Sequence, residues 1–183
     1  MTDHEYLERA YGFKDKLFAL ALSRLKNEED ANDAVVEVIL KGLRKKDQLR
    51  EVDRLIGWLA KIMVNHCHDI FRKRKRIPKD EVERELADKG LDLDLKVSIA
   101  HEIERILDIM LAIEPEDHRD VLVLYFYRKM SYGEIAEFLD VPEGTVKSRM
   151  SRAKPKLIDA FKKHNINEDD LKFVGDMDDW PLV

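Results

Sequence analysis

Lys147, Ser148, Ser151 and Arg152 fall on one face of a helical stretch, with Arg149 and Lys154 beside them. Cations that can meet phosphates or guanine edges, spaced by small hydroxyl side chains that permit close approach, suit the major groove of DNA. An ordinary solvated basic helix is the plain alternative. A second cationic group, Arg72-Lys73-Arg74-Lys75-Arg76, closes another helical stretch. Cations suit a helix C-terminus, and a run this dense also suits a nucleic-acid backbone. Asp30, Asp33 and Glu37 lie at i, i+3 and i+7, which gives one acidic helix face. His66 and His68 flank Cys67, but helical positions i and i+2 point to different sides and do not readily chelate one ion. No nucleophile–base pair, phosphate-cradling glycine loop or supported acid dyad accompanies them. The expectation is a protein without catalysis, metal or cofactor.

The element that must position the first face runs from Ser131 to Lys156. Ser131 can cap a helix, with Glu134 completing a capping box. Ile135, Ala136 and Leu139 form its inward face, Asp140-Val141 makes a turn, and Pro142, Glu143 and Gly144 open a second helix. There Val146, Met150, Ala153 and Leu157 recur at helical spacing and face inward. Cap, small residue and turn in this order read as a helix-turn-helix.

The remainder of the chain is helical in pattern. Tyr6 to Lys26 reads as one amphipathic helix with Leu7, Ala10, Tyr11, Leu17, Leu20, Ala21 and Leu25 inward. Asn27 caps a helix reaching about Arg44, and Lys45 to Arg54 is a basic loop. Leu55 to Arg76 is a long helix with Leu55, Trp58, Leu59, Ile62, Met63 and Ile70 inward. Ile77 to Ser98 is an acidic linker, interrupted by Pro78 and Gly90. Helices over 99–113 and 116–129 precede the helix-turn-helix and make a four-helix unit with it. The expected fold is all-α, with two small helical domains joined by a flexible acidic linker. The boundaries are 1–76, linker 77–98, 99–163, and an acidic tail 164–183.

Composition supports that division. Of 183 residues, 44% are hydrophobic and 39% charged, with seven glycines, which favours helix over sheet. The net charge of −5 is unevenly spread: residues 6–76 hold 17 Lys and Arg against 11 Asp and Glu, while 164–183 hold one against six. Local patches decide nucleic-acid attraction, not the total. One cysteine, no membrane-length apolar run and no signal-peptide pattern point to a cytoplasmic protein without membrane insertion.

Several blocks of the chain resemble the extracytoplasmic-function (ECF) sigma factors, the two-domain promoter-specificity subunits of bacterial RNA polymerase. They are Glu29-Asp30-Ala31-Asn32-Asp33-Ala34-Val35-Val36-Glu37, then Gly57-Trp58-Leu59-Ala60-Lys61-Ile62 with Asn65 and the basic run. In the second half they are residues 111–115, Ser131-Tyr132-Gly133-Glu134-Ile135-Ala136 and Gly144-Thr145-Val146-Lys147-Ser148-Arg149. The resemblance implies that 1–76 is a region 2 domain and 99–163 a region 4 domain. It also implies binding to core RNA polymerase, through its β′ clamp helices and β flap, and to promoter DNA. Asp30, Asp33 and Glu37 would meet the polymerase. Lys45, Lys46, Arg50, Arg54, Trp58, Lys61, Asn65, Arg72, Arg74 and Arg76 would capture and melt the −10 element. Thr145, Lys147, Ser148, Arg149, Ser151 and Arg152 would read the −35 element. Many members are held inactive by an anti-sigma factor, which the resemblance adds as a partner.

The chain departs from the family pattern at Asn32, Val36, Leu43 and Val64, which bears on polymerase affinity and melting. Pro155 stands where the recognition helix continues, and a bend, not a stop, is expected because the apolar stripe resumes at Leu157, Ile158 and Phe161. The acidic tail after His164 lies outside the match, and one reading makes it a DNA mimic folding back on a basic face. The competing reading of the whole chain is a free-standing helix-turn-helix regulator that acts without polymerase. The paired acidic and basic helices of the first half argue against it.

Overall fold

Thr2 starts the first helix: its hydroxyl accepts from Glu5 N at 3.2 Å, and Glu5 Oε2 accepts from Thr2 N at 2.7 Å. In the computed structural model, which describes residues 1–76 and 104–166, this helix is α1, Asp3–Gly12. The single helix expected over 6–26 is in fact two. Phe13, at φ −99° and ψ 2°, ends α1 and starts α2, Lys14–Leu25. The buried stripe lies one residue earlier, on Tyr6 and Ala10, so Leu7 and Tyr11, expected inward, are 39% and 62% exposed. Tyr6 and Ala10 carry the inward face of α1, and Leu17, Leu20, Ala21 and Leu25 that of α2.

Lys26 stops α2 in the left-handed region, φ 57°, and Asn27 caps α3, Glu28–Lys45, by accepting from Asp30 N at 2.9 Å. Two short 3₁₀ turns, Lys46–Gln48 and Val52–Arg54, occupy the basic loop and lead into α4, Leu55–Arg76. Helices α2, α3 and α4 pack on one another, with Leu59, Met63 and Cys67 fully buried. Trp58, Ile62 and Ile70 are only half-buried, because α4 shows one flank to the surface.

The second half begins with α5, described over 104–111, then α6, Glu116–Leu122, which continues as a π-helical turn over Val123–Tyr127. Helix α7, Tyr132–Leu139, opens with the expected capping box: Ser131 Oγ accepts from Glu134 N and Glu134 Oε2 from Ser131 N. It ends at Asp140, whose φ of 53° makes the turn. On α7 Ile135 and Ala136 are buried as expected, but the third buried residue is Phe138, while Leu139 is only half-buried. Helix α8, Glu143–Lys163, runs through Pro155 without stopping, and Leu157 and Phe161 stay buried beyond it.

The fold is all-α, with no strand among the described residues. The linker 77–98, the start of the helix expected from 99, and the tail beyond 166 lie outside those residues. The two halves pack together, α2 on α6 and the π turn, α4 on α7. A local reading of helical period has no access to that packing.

Candidate nucleic-acid interface

Helix α8 divides its residues cleanly. Val146, Met150, Ala153 and Leu157 are buried, each 0–1% exposed, which turns Lys147, Ser148, Ser151 and Arg152 outward together. The Ser148 hydroxyl donates to Thr145 O at 3.0 Å, and Lys147 pairs with Glu143 at 2.7 Å, which holds the ammonium above its ordinary pKa. Thr145 and Arg149 are half-buried. Arg149 pairs with Asp117 of α6 at 3.1 Å and so ties the outward-facing helix to its support. Nothing near Asp117 in the sequence marks that pair, which forms only when α6 packs on α8.

The loop between α3 and α4 and the start of α4 enclose a cleft of about 540 Å³. Arg50, Arg54, Trp58 and Lys61 line it together, and Arg54 also pairs with Glu51 at 2.9 Å. Glu137 and Asp140 of α7 line the same cleft. Neither was expected there, because their proximity depends on the contact between halves. Asn65 lines a second open cleft with His68, Phe71, Arg72 and Glu116.

The remaining cations sit apart from the first cleft. Lys46 is held at the N-terminus by Asp3 at 2.6 Å and by Met1 O at 3.1 Å. Arg72 pairs with Asp69, whose carboxyl it holds below the ordinary value, and Arg74 with Asp30 at 2.6 Å. Lys45 is exposed at the end of α3, and Arg76 is the last residue of α4.

On α3, Asp33 and Glu37 are exposed, and so are Val36 and Leu40, at 59% and 43%. Asp30 is half-buried in its pair with Arg74. His66 lies under this face, with Lys41 Nζ 2.6 Å from Nδ1 and Glu37 Oε2 3.6 Å from Nε2. Burial and then Lys41 lower its pKa, against the pull of Glu37. Asn32 turns its amide back to Glu28 O at 3.0 Å, while Leu43 and Val64 are half-buried. Among the described residues no group of His, Cys, Asp or Glu is arranged to hold a metal ion, and no helix is long and apolar enough to cross a membrane.

A sigma-70 region 2 family model matches residues 12–77 and a sigma-70 region 4 model matches residues 115–157. The RNA polymerase sigma factor SigV of Bacillus subtilis (strain 168) is 33% identical over 154 residues, covering 84% of this chain and 83% of the relative. The chain belongs to the ECF sigma factors. As a sigma factor it binds core RNA polymerase and promoter DNA and directs promoter-specific transcription initiation. The free-standing regulator is not favoured, since the region 2 match accounts for the first half. The chain is also similar to the ECF RNA polymerase sigma-E factor of Haemophilus influenzae, 28% identical over 174 residues, covering 84% of this chain and 92% of that one. Among solved structures, the sigma factor RpoE of Bartonella quintana, co-crystallised with the anti-sigma factor NepR, aligns with a TM-score of 0.57 at 25% identity, covering 86% of this chain and 97% of that one. CnrH, solved with the cytosolic domain of CnrY, shares the fold at a TM-score of 0.59 and 20% identity, covering 88% of this chain and 90% of that one.

Proposed function

We propose that this sigma factor divides promoter recognition between its halves and performs no chemistry of its own. The outward face of α8, chiefly Lys147, Ser148, Ser151 and Arg152, reads the −35 element from the major groove. Thr145 and Arg149 sit at the edge of that contact, with Arg149 holding the helix to α6. Arg50, Arg54, Trp58 and Lys61, around one cleft, capture the −10 strand by stacking and phosphate contact. Asn65, Arg72 and the end of α4 extend the cationic track. Asp33 and Glu37, with the exposed Val36 and Leu40 beside them, dock on the polymerase clamp helices. The protein works in the cytoplasm, and an anti-sigma factor of the kind seen with the Bartonella relative is its regulator.

The observation that carries this reading is the segregation on α8, where Val146, Met150, Ala153, Leu157 and Phe161 are buried and the four outer readers share one exposed face. Run-off transcription with core polymerase on a random promoter library tests it. Two enriched blocks are expected. Ser151→Ala with Arg152→Ala should relax only the upstream block, and Trp58→Ala with Lys61→Ala should reduce promoter opening while leaving that block intact. An upstream block unchanged by the first pair would refute the assignment of α8, and no promoter-dependent transcript would refute the whole reading.

A further inference from the structure

Between Pro142 and Ile158, helix α8 holds five cations, Lys147, Arg149, Arg152, Lys154 and Lys156, and a single acid, Glu143. An acid is costly on a helix that enters a groove flanked by phosphates, because the DNA backbone repels it. Its value to the free protein is small. Glu143 pairs with Lys147 Nζ at 2.7 Å, one turn along, yet the two side chains stay 50% and 60% exposed. Pairs as exposed as this add little to stability. A carboxylate also suits a helix N-terminus, but that effect requires no particular direction of the side chain.

The Glu143 side chain nevertheless has a defined direction. Oε1 takes the Lys147 ammonium, and Oε2 lies 3.9 Å from where a Cβ on Gly133 would stand. The carboxylate is thus lodged between the first turn of α8 and the first turn of α7. Recognition helices meet base edges with their N-terminal residues. Beside Glu143, a Cβ on Gly144 would meet nothing within 4 Å, and the backbone there is not left-handed. Neither packing nor conformation demands glycine at that position, and glycine in a helix is less stable than alanine. The room it leaves lies outside the protein, where a partner's surface can approach the backbone.

In the major groove a carboxylate needs an amine. Glutamate accepts from cytosine N4, whereas guanine and thymine present acceptors that repel it. Adenine sets its N6 amine beside the N7 acceptor, which suits an amide better than a carboxylate.

We infer that Glu143 reads a cytosine in the −35 element, accepting from its N4 amine while Lys147 meets a neighbouring phosphate and Gly144 lets the helix come close. The inference rests on the reading of α8 proposed above and adds the base that its first turn selects. Glu143 exchanges affinity for selectivity: it weakens binding to most sequences and spares those that offer the amine. Lys147, held against it, offsets its charge near the backbone.

The test uses the full chain assembled with core polymerase. Wild type, Glu143→Ala and Glu143→Gln each select upstream DNA from a random promoter library. The wild-type block should contain one position where cytosine is favoured at least about fivefold. Glu143→Ala should lose that preference, keep the other positions, and bind unselected DNA more tightly. Glu143→Gln should move the same position towards adenine, whose N6 and N7 a glutamine amide matches. Replacing that cytosine by 2-pyrimidinone, which lacks only the amine, should weaken wild type at least about fivefold and leave Glu143→Ala unchanged. Gly144→Ala should melt at or above wild type and still weaken promoter binding.

An upstream block unchanged in Glu143→Ala, with affinity raised evenly on all sequences, overturns the inference and leaves Glu143 a partner of Lys147 alone. A fall in thermal stability with no change in base preference does the same. So does equal indifference of wild type and Glu143→Ala to loss of the amine. Promoter binding by Gly144→Ala at the wild-type level overturns the close approach on which the contact depends. A wild-type holoenzyme that enriches no upstream block sinks the −35 reading and this inference with it; an intact block indifferent to residue 143 sinks the inference alone.

Discussion

Replacing Gly42 with alanine tests how tightly α1 is locked onto the acidic helix α3. A Cβ at Gly42 would press on the Tyr6 hydroxyl and stand 2.9 Å from Leu59 Cδ2 and 3.1 Å from Tyr6 Cζ. Carbon atoms at rest sit ~3.5–4.0 Å apart. Tyr6 is fully buried, and its hydroxyl donates to Ile39 O at 2.9 Å, so the ring cannot retreat without giving up that bond. Burial pushes the phenol up to about 12, which keeps it a neutral donor. Overpacking costs about 1–3 kcal/mol, and a strained hydrogen bond up to about 1 kcal/mol more. Alanine returns about 1 kcal/mol of helix propensity. The net loss is about 2 kcal/mol, or roughly 4–8 °C in Tm for a chain of this size. Thermal unfolding followed by circular dichroism measures it. Gly12→Ala is the control, since nothing lies within 4 Å of its Cβ position, and it should be neutral or stabilising. Tyr6→Phe removes the atom nearest the new methyl, so Tyr6→Phe with Gly42→Ala should cost less than the sum of the two single changes. A Gly42→Ala chain that melts with wild type, or single costs that simply add, would show the contact is not as tight as described.

Two other measurements follow from the same geometry. His66 is held below its ordinary value of 6.5, first by burial and then by Lys41, so on acidification the unfolded chain takes up a proton before the folded one. Its contribution to stability is whole above pH 6.5 and is lost as pH falls through and below that value. His118 is shifted the same way, so His66→Gln should flatten part of the acid slope in urea unfolding, and an unchanged slope would contradict this. Lys147→Ala should lower the salt dependence of promoter binding by the holoenzyme by about one phosphate, a slope change of ~0.9. Arg152→Ala should cost more affinity, because Lys147 is already shared with Glu143; the reverse order would refute the assignment.

Much of this protein was determined by local sequence. The caps at Asn27 and Ser131, the span of α4 and the inner stripe of α8 follow from residue type and helical spacing, because capping and amphipathicity are decided within a few residues. The outward grouping of Lys147, Ser148, Ser151 and Arg152 is legible for the same reason, since burying one side of a helix exposes the other. The break at Phe13 was not legible, as no proline marks it and the apolar period continues on both sides. What tertiary structure alone decided is which side chains meet from distant positions. Arg149 finds Asp117, Arg74 finds Asp30, and Glu137 and Asp140 arrive at the cleft of Trp58 and Lys61. Above all, it brought Ser23 and Arg24 to Arg119 and Asp120, almost a hundred residues along the chain. In isolation each of these four reads as a solvated polar residue. Their burial depends on two surfaces matching in shape and charge, which no spacing within a single helix encodes.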